Sequence, residues 1–343
     1  MFNDFDQQTN DFTMSDNEIA SHKKVLSRLC FAFLAYFIIA NGLSFAAAYL
    51  LNSIAPNLLL DSNFTLIISS AIQYAIAFPI LYFLVRKMPK CAPFPNKIGV
   101  KKFLKYTVIS VFVMYVGTYI SSLLMVYLES LMGNAPTNSI DDILNNTNII
   151  LSTVLVGIVG PIVEELMFRK LFVDRLTPYG ELTAIFFPAL IFGLFHTNLY
   201  QFFYAFFLGA IFSYVYLRTG KIIYTIILHL FINVFFGILP TFITSNINLE
   251  EFLEIALSGN IPEEYIMANL VPLTCLLVYE FVSYGLIFAG VITFMKSIRR
   301  VVLNKGSVRV HKGVAADVIF FNIGAILLIT ICLIFTALNT FII

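Results

Sequence analysis

Long apolar stretches recur along the whole chain and limit the folds that it can adopt. Each is roughly 17 to 25 residues long, the length that a helix needs to cross a hydrocarbon core of about 30 Å. With 59% hydrophobic and 12% charged residues, the composition is outside the range of soluble domains. We therefore expect an all-α, polytopic transmembrane bundle of about eight or nine membrane helices. The predicted spans are residues 29–51, 65–85, 106–128, 148–173, 181–197, 200–217, 221–239, 269–295 and 317–341.

The basic residues are distributed unevenly around these spans. Segments 52–64, 129–147 and 240–266 contain no Lys or Arg, whereas segment 86–105 contains seven and segment 296–312 contains six. Because basic loops stay on the cytoplasmic side, this asymmetry predicts a cytoplasmic N-terminus and a C-terminus outside. The net charge of +1 does not indicate nucleic-acid binding.

Composition and motifs divide the chain into four parts. Residues 1–28 are polar and lack the layout of a cleavable signal, so we expect a cytoplasmic segment followed by a retained first span. Residues 29–128 hold the N-terminal membrane helices, and residues 148–240 hold the chemical motifs. Residues 241–343 hold an outer segment and the last membrane helices.

Two classes of function find little support. The four cysteines include no pair placed for a structural disulfide and no CxxC spacing, so redox chemistry is not expected. No inverted pair of broken helices is visible, and that is the pattern typical of a secondary transporter. Transport is therefore a weaker interpretation than catalysis or binding.

The charged residues Glu164, Glu165 and Arg169 fall inside the fourth apolar span. A charge at membrane depth costs roughly 2.5 to 3.5 kcal/mol on insertion scales, so such residues usually face the bundle interior and serve a function. Residues four apart share a helix face, so the spacing pairs Glu165 with Arg169 and directs Glu164 elsewhere. A structural ion cluster would explain Arg169. It would not explain Glu164, because a carboxylate without its own cation in an apolar site is typical of a general base.

A proline lies just before these charges. Pro161 inside a helix would free the carbonyl group of Gly157, four residues back, and kink the helix axis. Membranes tolerate such irregular backbone where it lines a watery cavity or is buried in protein. Either such a cavity or an ordinary proline kink would explain the motif.

Two of the four histidines, His196 and His229, lie in apolar spans. Phe192 lies one turn before His196, and Asn233 lies one turn after His229 on the same face. A single buried histidine is more often a packing residue, and that interpretation stays open for each one alone. Together with Glu164, however, they supply the base, the partner and the oxyanion donors that hydrolysis of an amide by water requires.

These residues form three motifs that resemble a known family. The CAAX prenyl protease type 2 and bacteriocin-processing membrane proteins, also called CPBP or Abi intramembrane proteases, show EExxxR, FxxxH and HxxxN in this order. Here the motifs are EELMFR at 164–169, FGLFH at 192–196 and HLFIN at 229–233. The resemblance covers about residues 148–240, and the helices on either side carry no matching motif.

The resemblance implies an intramembrane endopeptidase. By this resemblance, Glu164 would activate water with His196 as its partner, and His229 with Asn233 would stabilise the oxyanion. The residues expected to shape the site are Glu165, Arg169 and Phe192. The substrate would be a peptide or a membrane protein in the lipid bilayer, with or without a lipid attached. The alternative is a non-proteolytic immunity or scaffold protein that binds a peptide or membrane partner.

The resemblance leaves metal dependence open, because the family has been described both as metalloprotease and as glutamate-dependent. Glu164, His196 and His229 could ligate zinc. A catalytic zinc, however, normally keeps a separate base in addition to three ligands, and here the base would be used as a ligand. We therefore expect no cofactor.

The depths of these residues in the membrane disagree with one shared site. At about 1.5 Å per residue, Glu164 and His229 would lie about 12 Å from the inner surface and His196 about 22 Å from it. Segments 181–197 and 200–217 are short for full crossings, so we expect a tilted or shallow hairpin that brings His196 toward Glu164.

Two acidic features lie outside the motifs. Glu280 is near the middle of a span, and we expect it to make a buried hydrogen bond, for example to a tyrosine on a neighbouring span. Segment 249–265 is acidic with apolar residues at helical spacing, which predicts a short helix at the outer interface.

Overall fold

The computed structural model describes residues 15–133, 139–245, 247–259, 261–308 and 312–341. Within these ranges the protein contains helices and no strands, and eight helices are long and apolar enough to cross a membrane. The predicted all-α transmembrane fold is therefore confirmed, and the chain is an integral membrane protein. The bundle consists of these eight helices and one shorter apolar helix, α5. In chain order they are α1 Asp16–Ile54, α2 Ser62–Val85, α3 Val100–Met132, α4 Ile149–Tyr179, α5 Glu181–Phe195, α6 Leu199–Thr219, α7 Ile222–Thr244, α8 Leu270–Ile298 and α9 Ile323–Phe341.

Helix α5 is the reason that the described residues contain eight candidate spans and not nine. It has 15 residues, which gives a length of about 22 Å at 1.5 Å per residue. This is shorter than a hydrocarbon core of about 30 Å. Its first residue, Glu181, forms an ion pair with Arg218 at the end of α6 and accepts hydrogen bonds from Asn304. Helix α5 therefore pairs with α6 as a hairpin whose first helix is short.

The two ends of the chain differ from the predicted boundaries. Helix α1 begins at Asp16 and not at residue 29, because Ser15 and Glu18 form a capping box that stabilises its first turn. The second half of the predicted polar segment is thus part of the first helix, and residues 1–14 lie outside the described residues. The last predicted span is divided into a short helix, Lys312–Ile319, and α9.

Four segments of these helices have the wide π-helical turn, in which each N–H bonds five residues back. They are Ile72–Ala77, Thr153–Val159, Leu166–Val173 and Asn233–Ile238. Three of them end two residues before a proline, and these prolines are Pro79, Pro161 and Pro240. Since a proline has no N–H and clashes with the carbonyl four residues back, the wider turn accommodates it inside a continuous helix.

The apolar interior forms two clusters. One joins α1, α4, α5 and α9, and in it the ring of Phe33 stacks on the ring of Phe172 with their centroids 4.3 Å apart. The other joins α3, α6 and α7. Helices α3 and α6 approach closely because Gly117 has no side chain, and a Cβ atom there would overlap with the backbone of Tyr204. The charged residues of α4 lie between the two clusters.

Candidate active site

Glu165 and Arg169 form a fully buried ion pair on α4. Two parallel hydrogen bonds join them, from Arg169 Nε to Glu165 Oε2 at 2.9 Å and from Arg169 Nη2 to Glu165 Oε1 at 3.0 Å. Both side chains are 0% exposed. The rings of Phe192 and Phe212 lie 5.6 and 5.7 Å from the guanidinium carbon. The pairing that the four-residue spacing predicts is present, and aromatic faces cover the cation.

His229 on α7 lies between the two glutamates. Its Nδ1 is 3.0 Å from Glu165 Oε1, and its Nε2 is 3.6 Å from Glu164 Oε2. The ionised carboxylate of Glu165, which is paired with Arg169, can only accept hydrogen bonds. Nδ1 of His229 therefore carries a proton and donates it in the 3.0 Å hydrogen bond to Glu165. The Nε2 atom is therefore directed toward Glu164.

The side chain of Glu164 is 31% exposed, whereas that of Glu165 is completely buried. The sequence analysis expected a buried Glu164, and this expectation was wrong. Neighbouring positions on a helix point about 100° apart, so one carboxylate turns into the packed interior and the other toward accessible space. This exposure gives water and substrate a route to Glu164.

His196 follows the last residue of α5, and its Nδ1 is 2.8 Å from the carbonyl oxygen of Phe192. A carbonyl oxygen only accepts, so this contact places the proton on Nδ1 and leaves the Nε2 lone pair available in the neutral ring. The imidazole is close enough to Glu164 and His229 to interact with both electrostatically. Its free nitrogen can therefore accept a proton from water or hold a water molecule.

The ring of Phe192 lies between the two histidines. Its centroid is 5.0 Å from that of His196 and 5.8 Å from that of His229, and it meets both rings edge to face. Gly209 on α6 leaves room for it, because a Cβ there would lie 3.1 Å from Phe192 Cδ1. A single ring thus separates His196 from His229, and the short α5 helix carries His196 to the same site.

Asn233 makes a contact that the sequence did not indicate. Its Nδ2 donates a hydrogen bond of 3.1 Å to the carbonyl oxygen of Val156 on α4. In the π-helical turn before Pro161, Gly160 N–H bonds the carbonyl of Leu155, five residues back. By the same count, Pro161 leaves the carbonyl of Val156 without a backbone donor. The sequence analysis expected this freed carbonyl one residue later, at Gly157, because it assumed an α-helical turn.

The comparisons with known proteins single out the same part of the chain. Residues 146–235 match the family model Rce1-like, described as type II CAAX prenyl endopeptidase Rce1-like. Residues 146–235, the Rce1-like segment, are similar to this family. The Rce1-like segment confirms the resemblance read from the motifs, and at the level of the family it supports a CAAX-type intramembrane endopeptidase. Neither a curated protein nor a solved structure shows a match.

Phe212, which lies inside the Rce1-like segment, is a site neighbour that the sequence analysis missed. Its ring centroid is 5.4 Å from that of His229, and the Arg169 guanidinium lies over the same ring. No spacing rule distinguishes this phenylalanine from the many others in the chain. Only the packing of α6 against α4 and α7 shows that it covers the buried charges.

The described residues do not fit a metal ion well. Among them, no group of three His, Cys, Asp or Glu side chains has the arrangement that would hold one. The set Glu164, His196 and His229, named above as the candidate zinc ligands, therefore carries no step of the chemistry derived below.

Of the two predictions for acidic residues outside the Rce1-like segment, the one for Glu280 was wrong and the one for segment 249–265 is supported by a helix there. Glu280 on α8 is half-buried near Tyr115 and Tyr279, but no hydrogen bond joins it to another group among the described residues. The expected tyrosine bond is therefore not found. The outer segment does contain a helix, Leu249–Leu257, followed by a second one, Glu263–Ala268.

Proposed function

We propose that this protein is an intramembrane endopeptidase in which Glu164 activates the water molecule that attacks a peptide carbonyl. The observation that carries the proposal is the position of His229 between the partly exposed Glu164 and the buried Glu165. A base that substrate can reach, with an imidazole oriented by a second carboxylate beside it, is a standard requirement of acyl-group hydrolysis. The match of this segment to the Rce1-like family supports the same reaction.

In the proposed mechanism, Glu164 removes a proton from water while the oxygen adds to the carbonyl carbon of the scissile bond. His196 Nε2 accepts a hydrogen bond from this water and holds it beside the base. The carbonyl oxygen becomes an oxyanion, which protonated His229 stabilises together with the second Nδ2 hydrogen of Asn233. Glu164 then passes its proton to the leaving amine, the C–N bond breaks, and a carboxylic acid and an amine are released.

The test compares two carboxylates that both lie within apolar helices. Purified protein in detergent is given peptides ending in a CAAX sequence, with and without a farnesyl group on the cysteine. Removing a general base typically costs a factor of about 10² to 10⁴. Glu164→Gln should therefore lose activity to this extent, whereas Glu280→Gln, outside the Rce1-like segment, should retain most of it.

Retention of full activity by Glu164→Gln would contradict the assignment of the base. Two results together would instead favour the scaffold or immunity alternative. The purified wild-type protein would cleave neither peptide, and cells that carry Glu164→Gln would keep the wild-type phenotype. Cleavage of only the farnesylated peptide would identify a lipidated substrate.

We propose that no metal takes part in this reaction, because a ligand role for Glu164 would occupy the carboxylate that activates the water molecule. Dialysis against a chelator, followed by the cleavage assay with and without added zinc, tests this. Unchanged activity is expected. A loss on chelation that zinc restores would overturn it.

We propose a cytoplasmic N-terminus and an external C-terminus, with cleavage near the cytoplasmic face. The proposal rests on the basic segments 86–105 and 296–312. Green fluorescent protein should fluoresce when fused to the N-terminus, and alkaline phosphatase should be active when fused to the C-terminus. The reverse pattern would contradict this orientation.

A further inference from the structure

Two tyrosines outside the Rce1-like segment lie beside Glu164. Tyr36 is on α1, and Tyr74 is in the π-helical segment Ile72–Ala77 of α2. Each interacts electrostatically with Glu164, and the two interact with each other. Two helices that carry no family motif therefore contribute polar groups to the neighbourhood of the base.

Contact with the backbone of α4 defines the position of Tyr74. A Cβ atom at Gly160 would lie only 2.9 Å from the hydroxyl oxygen of Tyr74, so the hydroxyl occupies the space that the missing side chain leaves. Gly160 is one helical turn before Glu164, on the same face. Two of the other three π-helical segments of the described residues contain a motif residue, Arg169 or Asn233, and the third contains Val156, whose carbonyl accepts the hydrogen bond from Asn233. Such turns are rare and often occur at functional sites, which makes the fourth, around Tyr74, informative.

Contact with the end of α5 defines the position of Tyr36. Its ring stacks on that of Phe195 with the centroids 6.0 Å apart and the planes nearly parallel, at 5°. Phe195 directly precedes His196. Tyr36 is only 7% exposed, so its hydroxyl is held in the space between α5 and α4.

Neither hydroxyl has a hydrogen-bond partner among the described residues, although both side chains are mostly enclosed by protein. Neither hydroxyl oxygen is among the fully buried side-chain atoms that lack a partner, so each borders space that a water molecule can occupy. Glu164 is the nearby group whose proposed role requires a bound water molecule. The two hydroxyl groups can donate hydrogen bonds, and His196 Nε2 can accept one, in the space beside Glu164 where this water molecule would bind.

We propose that Tyr36 and Tyr74 are further site residues whose hydroxyls line the water-binding space beside Glu164 and position the water molecule that it activates. This inference rests on the proposed peptidase function. It assigns α1 and α2 a part in the chemistry, since these helices carry the two tyrosines. Holding the water in line with the carbonyl carbon raises the turnover rate and leaves substrate binding unchanged.

The kinetic test replaces each tyrosine by phenylalanine and uses matched controls on the same helices. Tyr36→Phe and Tyr74→Phe should each lower kcat by about ten-fold with KM changed less than two-fold, because a hydrogen bond to the reacting water is lost. Tyr49→Phe on α1 and Tyr82→Phe on α2, whose side chains are exposed, should leave kcat unchanged. The thermal unfolding of all four variants should match that of the wild type, because the removed hydroxyls bond no protein group.

The outcomes separate this inference from the proposed function. If Glu164→Gln is inactive while Tyr36→Phe and Tyr74→Phe have wild-type kcat, the peptidase function stands and the role of the tyrosines is wrong. A change in unfolding temperature with unchanged kcat would likewise identify a purely structural role.

A labelling experiment tests the same inference without activity. In a chain whose four native cysteines are replaced by alanine, Tyr36→Cys and Tyr74→Cys should react with a charged, water-soluble thiol reagent, because a thiolate forms only where water reaches the sulfur. Ile76→Cys, at an exposed position near the middle of α2, should not react, because lipid excludes a charged reagent there. Absence of labelling at both site positions would overturn the proposal, whether or not a peptide substrate is cleaved.

Discussion

Nδ1 of His229 lies 3.0 Å from Oε1 of Glu165, and this same carboxylate holds Arg169 through two hydrogen bonds. The contact links α7 to α4 across 64 residues of sequence. It orients the imidazole so that its other nitrogen is directed toward Glu164. Glu165 therefore has two partners, and its loss would leave a buried cation unpaired as well as a histidine without its orienting group.

The Glu165 and Arg169 pair should show strong coupling in stability. Glu165→Leu and Arg169→Leu should each lower the free energy of unfolding by about 3 to 5 kcal/mol, because each leaves one buried charge uncompensated. The double variant should lose less than the sum of the two. Unfolding in detergent, followed by circular dichroism, measures this, and additive losses would contradict the coupling. The double variant should stay poorly active, because His229 has lost its acceptor.

Asn233 should contribute to stability through the carbonyl group of Val156. Asn233→Ala leaves this carbonyl without its donor, which should cost about 1 to 3 kcal/mol. Pro161→Ala restores a backbone N–H near it, so adding this change to Asn233→Ala should recover part of the loss. Thermal unfolding of the four combinations is the measurement. An identical effect of Pro161→Ala in both backgrounds would contradict the link, and a kcat that stays low in the double variant would support a role for Asn233 at the oxyanion.

The turn after His196 should depend on α9. Thr197 has a φ of 48°, which is unusual for a residue other than glycine. Asn339 Nδ2 holds it through bonds to the Thr197 carbonyl oxygen at 3.2 Å and to its hydroxyl at 2.9 Å. Asn339→Leu should lower kcat by roughly 10- to 100-fold, since small displacements of catalytic groups have effects of this size. Leu338→Ala, on the same helix, is the control, and equal kcat values in the two variants would contradict the positioning role.

Gly117 should be required for the contact between α3 and α6. A methyl group there would overlap with the backbone of Tyr204, so Gly117→Ala should cost about 1 to 3 kcal/mol through forced separation of the helices. Gly42→Ala, where nothing lies within 4 Å of the added Cβ, should instead be neutral or stabilise by up to about 1 kcal/mol. Equal unfolding temperatures of the two variants would show that the close approach is not needed.

Local patterns in the sequence were sufficient for part of this description. The apolar stretches predicted the membrane helices because the length of a span depends only on bilayer thickness and helical rise. The pair Glu165 and Arg169 was predictable because a spacing of four residues is a property of one helix. The three motifs and their order, which are local sequence patterns, pointed to the segment that matches the Rce1-like family model.

Other features depended on contacts between segments that are distant in the sequence. The bond between His229 and Glu165, the capping of Val156 by Asn233, and the approach of Tyr36 to Phe195 each join separate helices. The depth calculation placed His196 too far from Glu164 because it assumed that α5 crosses the membrane in full, as a straight helix. The length of segment 181–197 predicted a short or tilted helix there, but its packing, which brings Phe192 against both histidines, depends on contacts with α4, α6 and α7.

The amino-acid sequence by itself determined that this protein is a helical membrane protein and which side chains can carry chemistry, since hydropathy and residue type are local properties. The tertiary structure alone decided which of the two adjacent glutamates is accessible and which helices surround it. The physical reason is that exposure and hydrogen-bond partners depend on how the helices pack. That packing arises from the π-helical turns, the short α5 helix and the glycine contacts acting together.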